Sequence, residues 1–347
     1  MTLLRAPDRR ALLIGALALA ACEGRAQPVR RAAERSGLLP ALKAAAPFPV
    51  GVAVNTDRLA EPQYLGLVAR HFDQVTAEWQ MKMEAILRAD GSFDFAAADE
   101  IAGFARAGGL RLFGHTLIWY EQRPEAFVRL LGDRPAFERA YRNYILAVAG
   151  RYRGQAVAWD VVNEAVTDQA DGIRGGLWME ALGPGYIDRA FHLAREADPG
   201  APLFLNDYGL ERADKRRVFL RLAEDLMRRG APLGGLGTQA HLHTGVTTAE
   251  IRTSIRDLAS LGLPIHLSEL DVKTEGSQGQ RDQARVVGDM AEAFATLPER
   301  QRFAFTVWGL RDGDSWLTRR DATQRPLLFD DAGAAKPAFR AAVEAWS

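Results

Sequence analysis

A single cysteine, Cys22, occurs in 347 residues, so no disulfide closes within the chain. Net charge is absent as well, because 44 Lys and Arg balance 44 Asp and Glu. That balance gives no support for binding nucleic acid or another polyanion. Histidine is scarce, with six in the chain, which disfavours a His-rich metal centre. The apolar run at residues 11–21 is shorter than a bilayer-spanning helix needs. No internal repeat, low-complexity tract or Ser/Gly-rich linker divides the chain after residue 45. What remains is 48% hydrophobic and 25% charged, the profile of an ordinary soluble globular protein. Length alone suggests roughly two domains, but single barrels run to this size. The unbroken composition points to one domain over residues 46–347, behind a lead-in at 27–45.

The N-terminus reads as an export signal. Arg9 and Arg10 precede the 11–21 run, which has the length of a signal h-region. The Arg pair is compatible with twin-arginine export. Leu19-Ala20-Ala21-Cys22 resembles the lipobox of bacterial lipoproteins, in which the Cys becomes the lipidated first residue. The rival cut follows Ala26, which makes residues 1–26 an ordinary signal peptide. Both routes place the mature protein outside the cytoplasm, as a periplasmic, outer-membrane-anchored or secreted protein. Contact with a membrane is expected only through such a lipid, and the mature protein is expected to be a monomer.

The rest alternates short apolar strands with longer helical patterns, the signature of a parallel α/β fold. Eight strand candidates lie at 48–54, 72–78, 110–115, 157–164, 202–207, 235–241, 264–271 and 303–309. Helical periodicity lies between them, for example over 212–229 with Val218, Leu222 and Leu226 on one face, and over 283–297. Eight strands with intervening helices predict a single (β/α)8 TIM barrel. The strand ends carry Glu78, His115, Asn163 with Glu164, Asn206 with Asp207, Gln239 with His241, Glu269 with Asp271, and Trp308. In such barrels the active site is built from the C-terminal ends of several strands. Solvent exposure alone favours Lys, Ser and Gly there. This set is instead rich in groups that handle protons and hydroxyls.

Two carboxyls at different strand ends suit glycoside hydrolysis, in which one stays protonated and the other ionised. Glu164 sits beside neutral Asn163 and follows Trp159 and two valines. Burial should raise its pKa, as a general acid requires. Glu269 shares a strand face with Asp271, and His241, with Gln239 on the same face, closes the preceding strand. A His held between two carboxylates keeps Glu269 ionised, as a nucleophile requires. Asn163 could hold a sugar 2-hydroxyl. Competing readings stay open at this level. His241 and His243 have the spacing of a metal pair on a strand, and chelator sensitivity would reveal it. Trp308 and Trp316 serve either as core or, with Trp119, as stacking surfaces for sugars. A barrel that binds glycans without cutting them is a further reading, although both carboxyls are present.

The motifs GHTLIW (114–119), WDVVNEA (159–165), LNDYG (205–209), GLGTQAHL (235–242), SELDV (268–272), WGLRDGDSWL (308–317), and PLLFD with KPAF (326–330, 336–339) occur in this order. With them, residues 51–339 resemble the endo-β-1,4-xylanases of glycoside hydrolase family 10. The resemblance implies Glu164 as acid/base, Glu269 as nucleophile, retention of configuration, no cofactor, and carboxyls about 5–5.5 Å apart. It implies that Asn163, His115, Gln239 and His241 hold the −1 sugar and the nucleophile. Glu78 and Lys82 would bind the −2 sugar, Tyr208 would lie on the leaving-group side, and Trp308 and Trp316 would cover the glycone side. It also implies a cis peptide between His115 and Thr116.

The departures from the family pattern concern the sugar contacts. The usual Glu-Asn-x-x-Lys reads Glu78-Trp79-Gln80-Met81-Lys82, so Trp79 stands where an amide normally meets the −2 sugar. Trp can stack or block, but it cannot accept the same hydrogen bonds. After Trp119 the usual His-Ser is Tyr120-Glu121, while Gln122 remains, and Arg311 replaces a small residue in the last loop. Xylan is the expected substrate. A decorated xylan, a short oligosaccharide, or another β-1,4-glycan or exopolysaccharide is the alternative.

Overall fold

Strand order rather than strand count establishes the architecture. The computed structural model describes residues 39–274 and 279–347. The expected signal segment 1–26 with Cys22, and residues 27–38 of the lead-in, lie outside them. Within Leu42–Ser347, one compact unit, the strands are β1 (Val50–Val54), β2 (Gln74–Ala77), β3 (Arg111–Trp119), β4 (Ala156–Asn163), β5 (Leu203–Asp207), β6 (Gly235–Thr238), β7 (His241–His243), β8 (Ile265–Lys273) and β9 (Arg302–Val307). The order β6-β5-β4-β3-β2-β1-β9-β8 is closed by pairing of β6 with β8. All these pairings are parallel. This is the (β/α)8 barrel that the alternation of strands and helices predicts.

One strand departs from expectation. The run expected at 235–241 breaks after Thr238, because Ala240 adopts a left-handed conformation with φ 56°. The chain resumes as β7, which pairs only with the far end of β8, His241 opposite Asp271. Gln239 and His241 still reach the same cleft. They do so through a kink rather than by alternation along one straight strand.

The barrel is filled from its own strands. Phe113, Ala158 and Phe204 form a buried cluster with Phe303 packed against it, and His266 lies edge-on to Phe113 with centroids 4.3 Å apart. Large rings need small neighbours. A Cβ at Gly114 would come within 2.2 Å of the Trp159 ring. A Cβ at Gly237 would come within 2.2 Å of Asn206 Oδ1, so glycine there is what lets Asn206 lie across the barrel mouth. Outside the barrel the helices bury one stripe each. On Ala213–Arg228 that stripe includes Phe219, Leu222 and Leu226, whereas Val218 sits at its margin. The second expected helix runs Gly279–Ala295. Helix Thr248–Ala259 starts on a capping box, in which Thr247 accepts from the Glu250 amide and Glu250 accepts from the Thr247 amide. Among the described residues no helix is long and apolar enough to cross a membrane.

Candidate active site

The C-terminal strand ends converge on a cleft of about 630 Å³. Glu164 and Glu269 both line it, together with Asn163, Gln239, His115 and His241. Glu164 follows the last residue of β4 and has φ 59°. A non-glycine residue with positive φ is uncommon, and such strain concentrates at functional positions. Its amide donates to the Asn206 carbonyl at 2.8 Å. Its carboxyl is buried and accepts from Gln239 Nε2 at 3.0 Å and from Asn163 Nδ2 at 3.2 Å. The amide and carboxyl at the end of β4, Asn163 and Glu164, therefore point into a cleft and not into bulk solvent.

Glu269 projects from the middle of β8 and is 4% exposed. Its Oε1 accepts from Asn206 Nδ2 at 2.8 Å, and its Oε2 lies 3.2 Å from His241 Nε2. His241 Nδ1 in turn lies 2.9 Å from Asp271 Oδ2, which also accepts from Trp316 Nε1 at 2.7 Å. Asn206 and Gln239 both donate to Asn163 Oδ1, at 2.9 and 3.1 Å. The two carboxyls are thus joined through neutral amides alone. His115 flanks Glu269, with Nδ1 2.8 Å from Asp160 Oδ2 and 4.0 Å from Glu269 Oε1. The peptide bond between His115 and Thr116 is cis.

These surroundings drive the two acids in opposite directions. Burial raises the Glu164 carboxyl above its ordinary value, the Trp119 and Gln239 donors oppose the rise, and the nearby charge of Glu269 adds to it. Burial also opposes ionisation of Glu269, but the imidazoles of His115 and His241 and the Lys82 ammonium outweigh it, and the carboxyl is held at about 2. Burial disfavours the charged form of His241, yet Asp271 and Glu269 push it up to about 10.

The His241 shift carries a prediction for stability. Its folded value lies above its unfolded value, so protonation of His241 favours the folded state. That contribution is complete below about 6.5. It is lost as pH rises from there through about 10. The gap in urea midpoint between the protein and His241→Gln should therefore be widest at about pH 6, narrow through neutral pH, and close on approaching pH 10. A gap that stays constant over that range would remove the ion-pair account of His241.

Beyond the carboxyls the lining divides in two. On one side stand Glu78, Trp79, Lys82, Trp308 and Trp316. The buried Lys82 ammonium lies 4.5 Å from the Trp119 ring centroid and 5.7 Å from those of Trp79 and Trp308. Burial lowers its pKa, and the carboxyls of Glu269, Glu164 and Glu78 oppose that. Trp79 is 43% exposed, which leaves a flat apolar face open to the cleft. On the other side Tyr208 meets a network from the loop after Glu164. Arg174 donates to the Glu164 carbonyl at 3.1 Å and to the Tyr208 hydroxyl at 3.0 Å. Its guanidinium also stacks 4.3 Å from the Tyr120 ring centroid.

Gln122 needs a correction. It was expected among the sugar-binding residues, but it does not line the cleft. It is buried, and its Oε1 accepts from the Glu84 amide at 2.8 Å, which pins the turn that follows Lys82. Conversely, Asn206 stood at a strand end without an assigned role, yet it is the amide that touches Glu269. Its position two residues before Tyr208 on β5 was the available signal. Arg174, Asn55, Arg319 and Arg320 gave none, because they lie on loops or beyond the expected strand ends. Of the groups that could hold a metal, His115, Asp160 and Glu269 bring heteroatoms within 4.8 Å of one another. Their bonds to each other, to Asn206 and to His241 account for that grouping. His243 is exposed and accepts from the Gly245 amide at 3.1 Å, while both nitrogens of His241 face carboxylates.

Comparison with known proteins places this geometry. The glycosyl hydrolase family 10 profile matches residues 39–345. Endo-1,4-beta-xylanase B of Paenibacillus barcinonensis is 37% identical over 319 residues, covering 84% of this chain and 93% of the relative. Endo-1,4-beta-xylanase A of Thermoanaerobacterium saccharolyticum is 35% identical over 316 residues, covering 86% of this chain. This chain spans only 27% of that longer relative. Among solved structures, a thermostable mutant of a xylanase from Cellvibrio japonicus superposes with a TM-score of 0.81 at 32% identity, covering 88% of this chain and 99% of the other. By the extent of the profile match and the identity to these relatives, the chain belongs to glycosyl hydrolase family 10.

Proposed function

We propose that the protein is a retaining endo-1,4-β-xylanase that works by double displacement. The observation that carries this reading is the opposed electrostatic setting of Glu164 and Glu269 across one amide-bridged cleft. Glu269, held ionised by His241, attacks the anomeric carbon of the −1 sugar. The glycosidic C–O bond breaks, and Glu164 gives its proton to the departing oxygen. Esterification then removes the charge of Glu269. The electrostatic push on Glu164 disappears with it, so Glu164 becomes a stronger acid and can serve as base. It takes a proton from water, the water oxygen attacks the anomeric carbon, and Glu269 leaves as carboxylate.

The substrate is a β-1,4-linked xylan chain laid along the cleft, with Trp308 and Trp316 over the glycone side and Tyr208 on the leaving-group side. The printed names of the relatives support this choice. One solved relative, 32% identical, is a xylanase A mutant in complex with xylopentaose. Trp79 replaces the amide usual at the −2 sugar and offers a stacking face in its place. The protein acts after export, either anchored through Cys22 or released after Ala26.

The test is product analysis on linear xylan, followed by proton NMR from the first seconds of reaction. Short xylo-oligosaccharides should appear, and the first hemiacetal formed should be the β anomer. The α anomer appearing first would overturn double displacement. Binding of xylan without cleavage would overturn the enzymatic reading.

A further inference from the structure

Nearly every charged group around the glycone side of the cleft is already satisfied. Glu78 is paired with Arg319, which also donates to the Asp314 carbonyl at 2.9 Å. Lys82 is enclosed by three tryptophan rings. Arg320 is the exception. It lines the cleft, and its one partner among the described residues is the Trp316 ring, 4.5 Å away.

The neighbouring carboxylates are occupied. Asp321 accepts from the Thr323 amide and hydroxyl and from Gln324. Asp314 is held by Arg311 and Arg58. The platform beneath Arg320 is fixed, because Asp271 anchors the Trp316 indole. A guanidinium stacked on an aromatic face keeps its edge N–H groups free, in the fork that matches a carboxylate. A neutral pentose chain offers hydroxyls and ether oxygens, which accept single hydrogen bonds but carry no charge to match the guanidinium fork.

We propose that Arg320, on its Trp316 platform, anchors a subsite for a carboxylate-bearing substituent of the glycan, a uronic acid branch on the β-1,4-linked backbone. The proposal rests on the endoxylanase reading above and names the form of xylan that the cleft prefers. Arg319 beside it adds a second positive centre, already oriented by Glu78.

The test compares kcat/KM on linear xylan and on glucuronoxylan of similar length for the full chain, Arg320→Gln and Arg320→Lys. Melting temperatures check that each variant is folded. The ratio of glucuronoxylan to linear xylan should fall about fivefold or more in Arg320→Gln, as for a partly exposed charge-assisted contact. It should recover in part in Arg320→Lys. About 0.5 M salt should bring the unmodified protein toward the Gln variant. A ratio that Arg320→Gln does not change overturns the subsite, while cleavage of linear xylan leaves the endoxylanase reading standing. Failure to cut either xylan overturns both.

Discussion

Glu269→Ala should lose turnover on every glycan, with kcat/KM down by about 10⁴-fold or more. The reason is specific to its setting. Asn206, His241 and Lys82 are arranged to hold a negative charge at that point, and no other carboxylate can replace it. Asp271 is the nearest alternative in sequence, but it is tied to His241 and to Trp316 Nε1. The variant should still fold. Removing the carboxyl strands the Asn206 and His241 donors, at a cost of about 1–3 kcal/mol, which lowers Tm without abolishing the barrel. The vacated space beside His241 and Lys82 should accept a small anion. With azide present and an activated aryl xylobioside as substrate, the variant should form the α-glycosyl azide, by a single inversion at the anomeric carbon. Recovery of the β-azide, or residual xylan turnover within about tenfold of the parent, would remove Glu269 from the nucleophile's role.

The barrel and the pair of carboxyls were legible because each leaves a local mark. Eight apolar runs spaced by amphipathic helices are a short-range pattern, whereas closure of the barrel is the long-range pairing of β6 with β8. Glu164 and Glu269 were visible as acids toward the C-terminal ends of expected strands, although β8 continues past Glu269 to Lys273. The contacts between strands were harder to read. Asn206 and Asn163 both stood at strand ends, but which amide meets which carboxyl depends on the separation across the mouth and not on position along a strand. The Ala240 kink was missed because alternation assumes extended backbone, and a left-handed alanine has no composition signal. Gln122 is carried over from the family pattern after Trp119, and a motif does not show that its side chain turns to the Glu84 amide. Arg174 lies ten residues after Glu164 in an irregular loop, where periodicity says nothing. Local pattern thus located the chemistry, and long-range packing decided its wiring.

Glu164→Ala separates the two steps that Glu269→Ala abolishes together. On xylan the departing sugar oxygen is a poor leaving group that needs the proton, so kcat/KM should fall by about 10²–10⁴-fold. On a dinitrophenyl xylobioside the leaving group departs without protonation, and formation of the glycosyl-enzyme should remain fast. The second step then lacks its base, so the intermediate should accumulate and release a burst of dinitrophenol equal to the enzyme present. Azide should relieve the block and give the β-glycosyl azide, the stereochemical opposite of the Glu269 variant. The pH profile supplies an independent sign. Glu164 must be protonated for the first step and is raised by burial, so the alkaline limb of kcat/KM on xylan lies above the ordinary carboxyl range. Glu269 must be ionised and is held at about 2, so the acidic limb lies near the bottom of the accessible range. In Glu164→Ala with the activated substrate, the alkaline limb should vanish while the acidic limb stays. If the alkaline limb persists in that variant, another group sets it, and the acid must be sought elsewhere in the cleft.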